Sequence, residues 1–477
     1  MSEQGTRPAW FLLTQHWLSL LGLALLATAL ISWLFVLPVQ ISGHVSHPYV
    51  GIIVFLILPL VFFLGLALVP IGIYIGRRTI HEKLSESVID RKTALRRLAW
   101  FLGLTALLNI LIGTQLTYRS VAYMETPQFC GATCHSMTPE LSAYRNSPHS
   151  RVDCIGCHVA PGAAGWIDSK TNGLHQLFET VLNRTPRPIP SALETNRLVP
   201  ARETCENCHW PQNFAGARLR VFPKYSDDEA NTRTQTVLLM LIGGNRIAGI
   251  HGAHLGPGVH IRFAAADAAR QTIPWVEYRN PDGGVRTFVT PDPPSHSSKE
   301  LATFEMQCVD CHNRPTHTFD LPERAMDKAL AMGDIPVSLP FIKKKSVELL
   351  KASYVNSAEA AEKLPADLNS FYQQNYPDLY AKRSEDIHQA GQAIRGIYAR
   401  NVFPELKVNW GTYPNNLGHT DFPGCFRCHD GLHTSADGET ISQDCNSCHE
   451  PLAADETSPD ILKTLGIAER ISKIQKP

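Results

Sequence analysis

One short motif recurs six times along this sequence and constrains it more than any other feature. Each copy has two cysteines followed directly by a histidine, and the copies span residues 130–135, 154–158, 205–209, 308–312, 425–429 and 445–449. C-x-x-C-H is the attachment signature of c-type haem, in which both thiols bond the porphyrin and the histidine reaches the iron. The motif cysteines are Cys130 and Cys134, Cys154 and Cys157, Cys205 and Cys208, Cys308 and Cys311, Cys425 and Cys428, and Cys445 and Cys448. They are all twelve cysteines of the chain, so the sequence predicts six covalently bound haem c groups.

Other uses of paired cysteines fit this pattern less well. Zinc ribbons use C-x-x-C pairs without a histidine after every second cysteine. A disulfide framework gives no reason for that histidine either. The first copy has one extra residue between Cys130 and Cys134, so its spacing departs from that of the other five.

Three apolar stretches at the start of the chain are long enough to cross a bilayer, which takes about 20 helical residues. They cover residues 17–37, 50–75 and 98–118. Lys and Arg favour cytoplasmic loops. Residues 38–49 contain neither, whereas residues 77–97 contain seven. We therefore expect a multi-pass inner-membrane protein with a cytoplasmic N-terminus and a periplasmic haem domain.

The charge balance bears on the partners. The first 118 residues carry eight Lys and Arg against four Asp and Glu, which leaves 36 against 40 for the other 359 residues. Phosphate binding needs a basic face. The charge balance therefore predicts no nucleic-acid partner, and the three apolar stretches predict the lipid bilayer as a partner of the chain.

The predicted fold class is a membrane anchor of three transmembrane α-helices, followed by a mainly α/irregular multihaem cytochrome c domain with a β-rich insert. The expected segments are a three-helix anchor over 1–118, a trihaem region over 119–212, the β-rich insert over 213–305 and a C-terminal trihaem region over 306–477. In the insert, an apolar run at 236–242 and a hairpin at 275–289 predict strands.

Helical composition marks a second insert, within the C-terminal region. Helices are predicted at residues 321–332, 341–352, 358–364 and 384–397. The run Lys343-Lys344-Lys345 is expected on a solvated helix face. The tail after Pro451 is expected to form a surface helix.

Iron that transfers electrons usually has two protein ligands, so six haems need up to six side chains besides the motif histidines. The motif histidines are His135, His158, His209, His312, His429 and His449. Predicted second ligands are His149, His317, His419 and His433, which lie beside motifs, together with His175 and one of the pair His251 and His254, with His254 favoured. A surface histidine is the alternative at each position. Met137 offers a thioether that could replace His135 on the first iron, or it could simply pack.

Residues 100–210 resemble the NapC/NirT/NrfH family of membrane-anchored, quinol-oxidising multihaem cytochromes. The likeness rests on a membrane span, a C…CHxM segment ending at Met137, His149 nine residues before His158, and Lys170 beyond. It implies that Met137 is an axial ligand of haem one, that His149 binds a haem other than its neighbour's, and that Lys170 lies at the quinol site or on a haem. A surface lysine is the alternative for Lys170.

The length and haem number are more similar to those of the larger inner-membrane cytochromes of the ImcH type. CHNRPTH and PGCFRCHDGxH look like segments of that group. The family core, by contrast, has one span and four or five haems, against the three spans and six haems predicted for this chain.

The sequence thus predicts a quinol dehydrogenase of the quinol:cytochrome c-type oxidoreductase class. Haem one would take electrons from menaquinol or ubiquinol, with Lys170, His175 or Glu125 assisting proton release. The other five haems would conduct to periplasmic c-type cytochromes or other soluble electron acceptors. Two alternatives stay open: a haem-based terminal reductase of a small oxyanion, and an electron-relay subunit of a larger membrane complex.

Overall fold

This computed structural model describes residues 16–41, 57–76, 96, 100, 115, 119, 122–133, 135–195, 198–210, 214–243, 249–291 and 301–467. The chain divides into two compact units, Met1–His135 and Ser136–Pro477.

Two apolar helices form the first unit's packed core, α1 (Trp17–Ile41) and α2 (Leu58–Ile75). Among the described residues, α2 is the helix long and apolar enough to cross a membrane. These helices coincide with the first two predicted spans. The third predicted span, 98–118, lies almost entirely outside the described residues.

Glycines allow α1 and α2 to approach closely. A Cβ added at Gly22 would lie 2.8 Å from the carbonyl oxygen of Gly65, and the converse distance is also 2.8 Å. The Ser19 hydroxyl donates to the Val69 carbonyl oxygen at 3.2 Å. Small residues serve helix pairs in lipid in this way, because contact between backbones replaces the hydrophobic effect.

In the described part of the second unit, six α-helices lie before the helical body, and all but one of them are short. In chain order they are α3 (Thr138–Arg145), α4 (Ile155–His158), α5 (Gly162–Val181), α6 (Ala201–Thr204), α7 (Gly249–Leu255) and α8 (Cys308–Cys311).

A helical body follows the fourth motif. Its helices are α9 (Pro322–Met332), α10 (Ile342–Lys351), α11 (Ser357–Asn375) and α12 (Pro377–Asn401). They pack around fully buried apolar side chains that include Met326, Leu350, Leu368 and Ile394. Each predicted helix of this insert is present, and α11 and α12 extend well beyond their predicted ends, because a buried face continues along both.

Lys343 does not lie on a solvated face, and that prediction is wrong. The residue is only 3% exposed. Its ammonium group is paired with the Asp327 carboxylate and also donates to the Glu323 carbonyl oxygen at 3.1 Å. Only Lys344 of the three-lysine run is well exposed. A buried charge needs such partners, and α9 supplies them.

Two antiparallel sheets complete the second unit. Their strands are β1 (Arg218–Tyr225), β2 (Arg233–Met240), β3 (His260–Ala265), β4 (Trp275–Arg279), β5 (Val285–Val289), β6 (Ala302–Glu305), β7 (Thr434–Ser435) and β8 (His449–Glu456). The sheet orders are β1-β2-β8 and β6-β3-β4-β5-β7. Strands β4 and β5 form the hairpin expected at 275–289.

The segment after the sixth motif begins as a strand, so the prediction of a helix directly after Pro451 is wrong. β8 pairs with β2, and Ala453 and Val237 are buried together there. The partner strand satisfies backbone groups that a lone surface helix would have satisfied internally. A short helix, α13 (Asp460–Thr464), follows.

Candidate haem-binding sites

The regular motifs all form a single tight turn. In motifs two to five the histidine N–H donates to the carbonyl oxygen of the first cysteine, at 2.8–3.0 Å. The sixth motif closes through Cys448 N–H to Cys445 O at 3.1 Å. Such a turn brings two thiols and an imidazole together, as attachment of one porphyrin requires.

The first motif begins with a wider turn. Residues Phe129–Thr133 form a π-helix, in which each hydrogen bond spans one more residue than in an α-helix. The extra residue of this motif is accommodated there. Cys134 lies outside the described residues. His135 and Met137 lie in the 3₁₀ turn His135–Met137, where Met137 is half-buried.

Five motif histidines each lie opposite a histidine from elsewhere in the chain. The ring pairs and their centroid distances are His158 and His317 at 6.2 Å, His209 and His149 at 5.9 Å, His312 and His251 at 6.3 Å, His429 and His254 at 5.7 Å, and His449 and His419 at 6.2 Å.

These distances fit an iron between each pair. Metal–imidazole bonds are about 2 Å long, so two such bonds and half a ring on either side span about 6 Å. The five sites therefore combine the thiols and the two imidazoles that a six-coordinate c-type haem requires.

Backbone carbonyl groups orient the non-motif imidazoles. The distances from Nδ1 to oxygen are 3.1 Å for His317 to Glu140, 3.2 Å for His251 to Ile242, 2.7 Å for His254 to Ile250 and 3.4 Å for His149 to Pro315. An Nδ1–H that donates to a carbonyl oxygen leaves the Nε2 lone pair available to a metal.

Burial keeps several of these rings neutral. It lowers the pKa of His158, His254 and His312, and it lowers the pKa of His317 to about 4. Neutral imidazole is the form that binds a metal. Near pH 7 these side chains are therefore ready to act as ligands.

His433 is placed differently from the other predicted ligands. Its ring is fully buried, with Nδ1 2.9 Å from Asp430 Oδ1 and Nε2 2.7 Å from the Ile273 carbonyl oxygen. Both nitrogens face oxygen acceptors, so neither has a lone pair free for iron. His251, which the sequence analysis favoured less than His254, does lie opposite a motif histidine, His312.

The remaining predicted site residues are not members of the five ring pairs. Lys170 and His175 are on α5; His175 is exposed, whereas Lys170 is half-buried with its Nζ 5.4 Å from the centre of the Trp166 ring. Glu125 is half-buried in the first unit.

Cysteines of the second, third and fourth motifs lie close to one another. Burial raises the pKa of Cys157, and the nearby Cys205 and Cys208 raise it further. A hydrogen bond joins the thiols of Cys205 and Cys308; it lowers the pKa of the first and raises that of the second.

Cysteines of the fourth, fifth and sixth motifs also lie close to one another. Burial raises the pKa of Cys311 to about 11 and also raises that of Cys448, and the neighbouring Cys425 adds to the rise at both. Each of motifs two to five thus has a cysteine that interacts electrostatically with a cysteine of the next motif.

Comparison with known proteins decides the family. Residues 92–209 match the NapC/NirT cytochrome c family, N-terminal region. The cytochrome c-type protein ImcH of Geobacter sulfurreducens is 39% identical over 446 residues, which cover 91% of this chain and 87% of that protein. The chain is an ImcH-like member of the NapC/NirT cytochrome c family. No solved structure matches it.

As an ImcH-like cytochrome, the chain is a membrane-anchored multihaem protein of electron transfer with covalently bound haem c. The match confirms the resemblance seen over residues 100–210. The sequence predicted one ligand from the pair His251 and His254, with His254 favoured, whereas both lie opposite motif histidines. The signal for both was the H-x-x-H spacing on α7, which presents His251 and His254 to two different motifs.

Proposed function

We propose that this cytochrome oxidises membrane quinol, menaquinol or ubiquinol, and passes the electrons through six haems to periplasmic acceptors. The observation that carries the proposal is the set of five histidine pairs, each beside its own pair of cysteines. Bound haem supplies one-electron redox chemistry at each site.

The proposed ligand set replaces His433 by His251. The pairs are His158 with His317, His209 with His149, His312 with His251, His429 with His254 and His449 with His419. In two of them the second histidine comes from α7, which carries no motif: His251 lies opposite His312, and His254 lies opposite His429. Such ligation ties distant chain segments together.

The first site has a different character. Its ligands would be Met137 or His135, and Met ligation raises a reduction potential relative to two histidines. We assign the quinol reaction to this site, which the sequence places next after the predicted third span. Lys170, His175 and Glu125 are the groups that would accept quinol protons there.

The order of the motif cysteines supports a linear path. The electrostatic influence of Cys205 on Cys157, and the hydrogen bond of Cys205 with Cys308, link motifs two, three and four. Cys425 then links motif four to motif six. Acceptors would be periplasmic c-type cytochromes or other soluble electron carriers, reached from the sixth motif, whose Cys445 is exposed.

The proposed membrane arrangement has three spans, a cytoplasmic N-terminus and a periplasmic haem domain. The apolar helix α2 and its close packing against α1 support an anchor of several helices. The loop charges of the sequence support the orientation.

Quinol-driven reduction tests the proposal. The purified full-length protein in lipid nanodiscs is mixed anaerobically with a reduced menaquinol analogue, and the haem absorbance is followed. Rapid reduction that stops when a quinol-site inhibitor is added supports the proposal. Reduction by dithionite but not by the quinol analogue contradicts it.

A further inference from the structure

Asp310, inside the fourth motif, lies at the centre of a buried polar network. Its Oδ1 accepts from Arg270 Nη1 at 2.7 Å, and its carbonyl oxygen accepts from Arg427 Nη2 at 2.6 Å. Arg427 belongs to the fifth motif, and its Nη1 donates to the Arg270 carbonyl oxygen at 2.8 Å. One carboxylate and two guanidinium groups thus join two haem-attachment motifs to the connection between β3 and β4.

Two members of this network are shielded from solvent, and the third, Arg427, is half-buried. Arg270 is 7% exposed and Asp310 is 2% exposed. The Arg270 guanidinium also lies over the Phe304 ring, 3.7 Å from its centre. Charges in such surroundings are screened far less than surface charges, so they act over a longer range.

The charge of Arg427 reaches the attachment points of both motifs. Arg427 lies between Cys425 and Cys428 in the chain, and its guanidinium donates to the carbonyl oxygen of Asp310, the residue directly before Cys311. The fixed charge of the network itself is two positive groups against one negative.

A net positive charge near an iron favours the reduced form, because reduction adds one negative charge to the site. Second-shell groups of this kind tune metal sites that they do not touch. Here the cluster of Arg270, Asp310 and Arg427 lies between motifs four and five, which are successive haem sites of the proposed electron path.

We propose that Arg270, Asp310 and Arg427 form a cationic junction that raises the reduction potentials of the haems held by motifs four and five and fixes the two motifs relative to each other. This rests on the proposed function only in requiring haem at both motifs. The junction would make reduction of these two haems, in the middle of the path, more favourable.

The test is a spectroelectrochemical titration of the purified full-length protein. In Arg427→Gln we expect two of the six potentials to fall, with the reduction equilibrium of each changing about tenfold, which is ~59 mV for a one-electron couple. Arg427→Lys keeps the charge and should shift them much less. Arg286→Gln, which removes an exposed arginine paired with Glu439, is the matched control and should shift none.

Asp310→Asn gives a second, independent reading. It removes the negative charge but keeps an oxygen atom that can accept from Arg270, so two reduction potentials should rise. This rise can be measured even if Arg427→Gln loses haem. Potentials that stay unchanged in haem-loaded Arg427→Gln, or that fall in Asp310→Asn, overturn the junction. A wild-type protein with fewer than six haems refutes the proposed function instead.

Discussion

The imidazole rings of His251 and His312 lie parallel, with their centroids 6.3 Å apart and their planes 3° apart. His251 comes from α7, and His312 follows α8 about sixty positions later. Two parallel rings at this separation leave room for one metal ion between them. The pair brings together two segments that no local sequence pattern connects.

Removing one imidazole from this pair should leave one haem iron without its second protein ligand. In His251→Ala we expect a single high-spin haem in the oxidised protein, because the iron at motif four loses its sixth ligand. Covalent attachment through Cys308 and Cys311 should persist. Electron paramagnetic resonance reports the spin state, and the mass of the intact protein reports the haem number.

His433→Gln is the matched control for that experiment. The residue is buried, but both of its nitrogens are hydrogen-bonded to Asp430 and Ile273. We expect no high-spin signal and a loss of about 1–3 kcal/mol in unfolding free energy from the broken buried bonds. A new high-spin haem in His433→Gln would place His433 among the ligands and contradict our ligand set.

The buried pair of Lys343 and Asp327 should be important for stability. Lys343→Met leaves Asp327 with the burial that raises its pKa and without the lysine that lowers it. We expect a loss of about 3 kcal/mol in the unfolding free energy at neutral pH, measured by urea denaturation. The exposed Lys344→Met should change it by less than about 0.5 kcal/mol.

The loss in Lys343→Met should depend on pH. The folded variant binds a proton at Asp327 more readily than the unfolded chain does, so its stability rises as pH falls through the raised folded pKa. The variant should therefore be closer to wild type at mildly acidic pH than at neutral pH. An equal loss at both pH values would show that the pKa of Asp327 is not raised in the folded variant and would contradict this prediction.

Lys170 is predicted to act at the quinol site. In Lys170→Met the rate of reduction by a quinol analogue should fall at least about tenfold, because a group that handles protons is lost. Reduction by dithionite should be unchanged. Lys382→Met, which alters an exposed lysine on α12, should match wild type in both assays. If the quinol analogue reduces Lys170→Met as fast as wild type, Lys170 takes no part in the quinol reaction.

Local patterns predicted much of this molecule. The motif spacing marked each attachment turn, the apolar periodicity marked α9 to α12, and the Asn-Pro-Asp-Gly-Gly turn marked the hairpin of β4 and β5. These features depend on residues a few positions apart, so the sequence displays them directly.

Features that depend on distant partners were not predictable in the same way. His433 sits four residues after a motif histidine, as a ligand might, but Ile273 in another segment occupies its second nitrogen. Lys343 is buried because Asp327 on α9 faces it. The strand β8 forms because β2 offers it an edge. Tertiary contacts decided each of these cases.

The most direct test of the account is to count the haems and identify their ligands in one preparation. Intact-protein mass gives the haem number, and near-infrared magnetic circular dichroism of the oxidised protein distinguishes bis-histidine iron from other ligation. We predict six haems, five of them with bis-histidine ligation. Fewer than six haems, or fewer than five with two histidine ligands, would contradict the account.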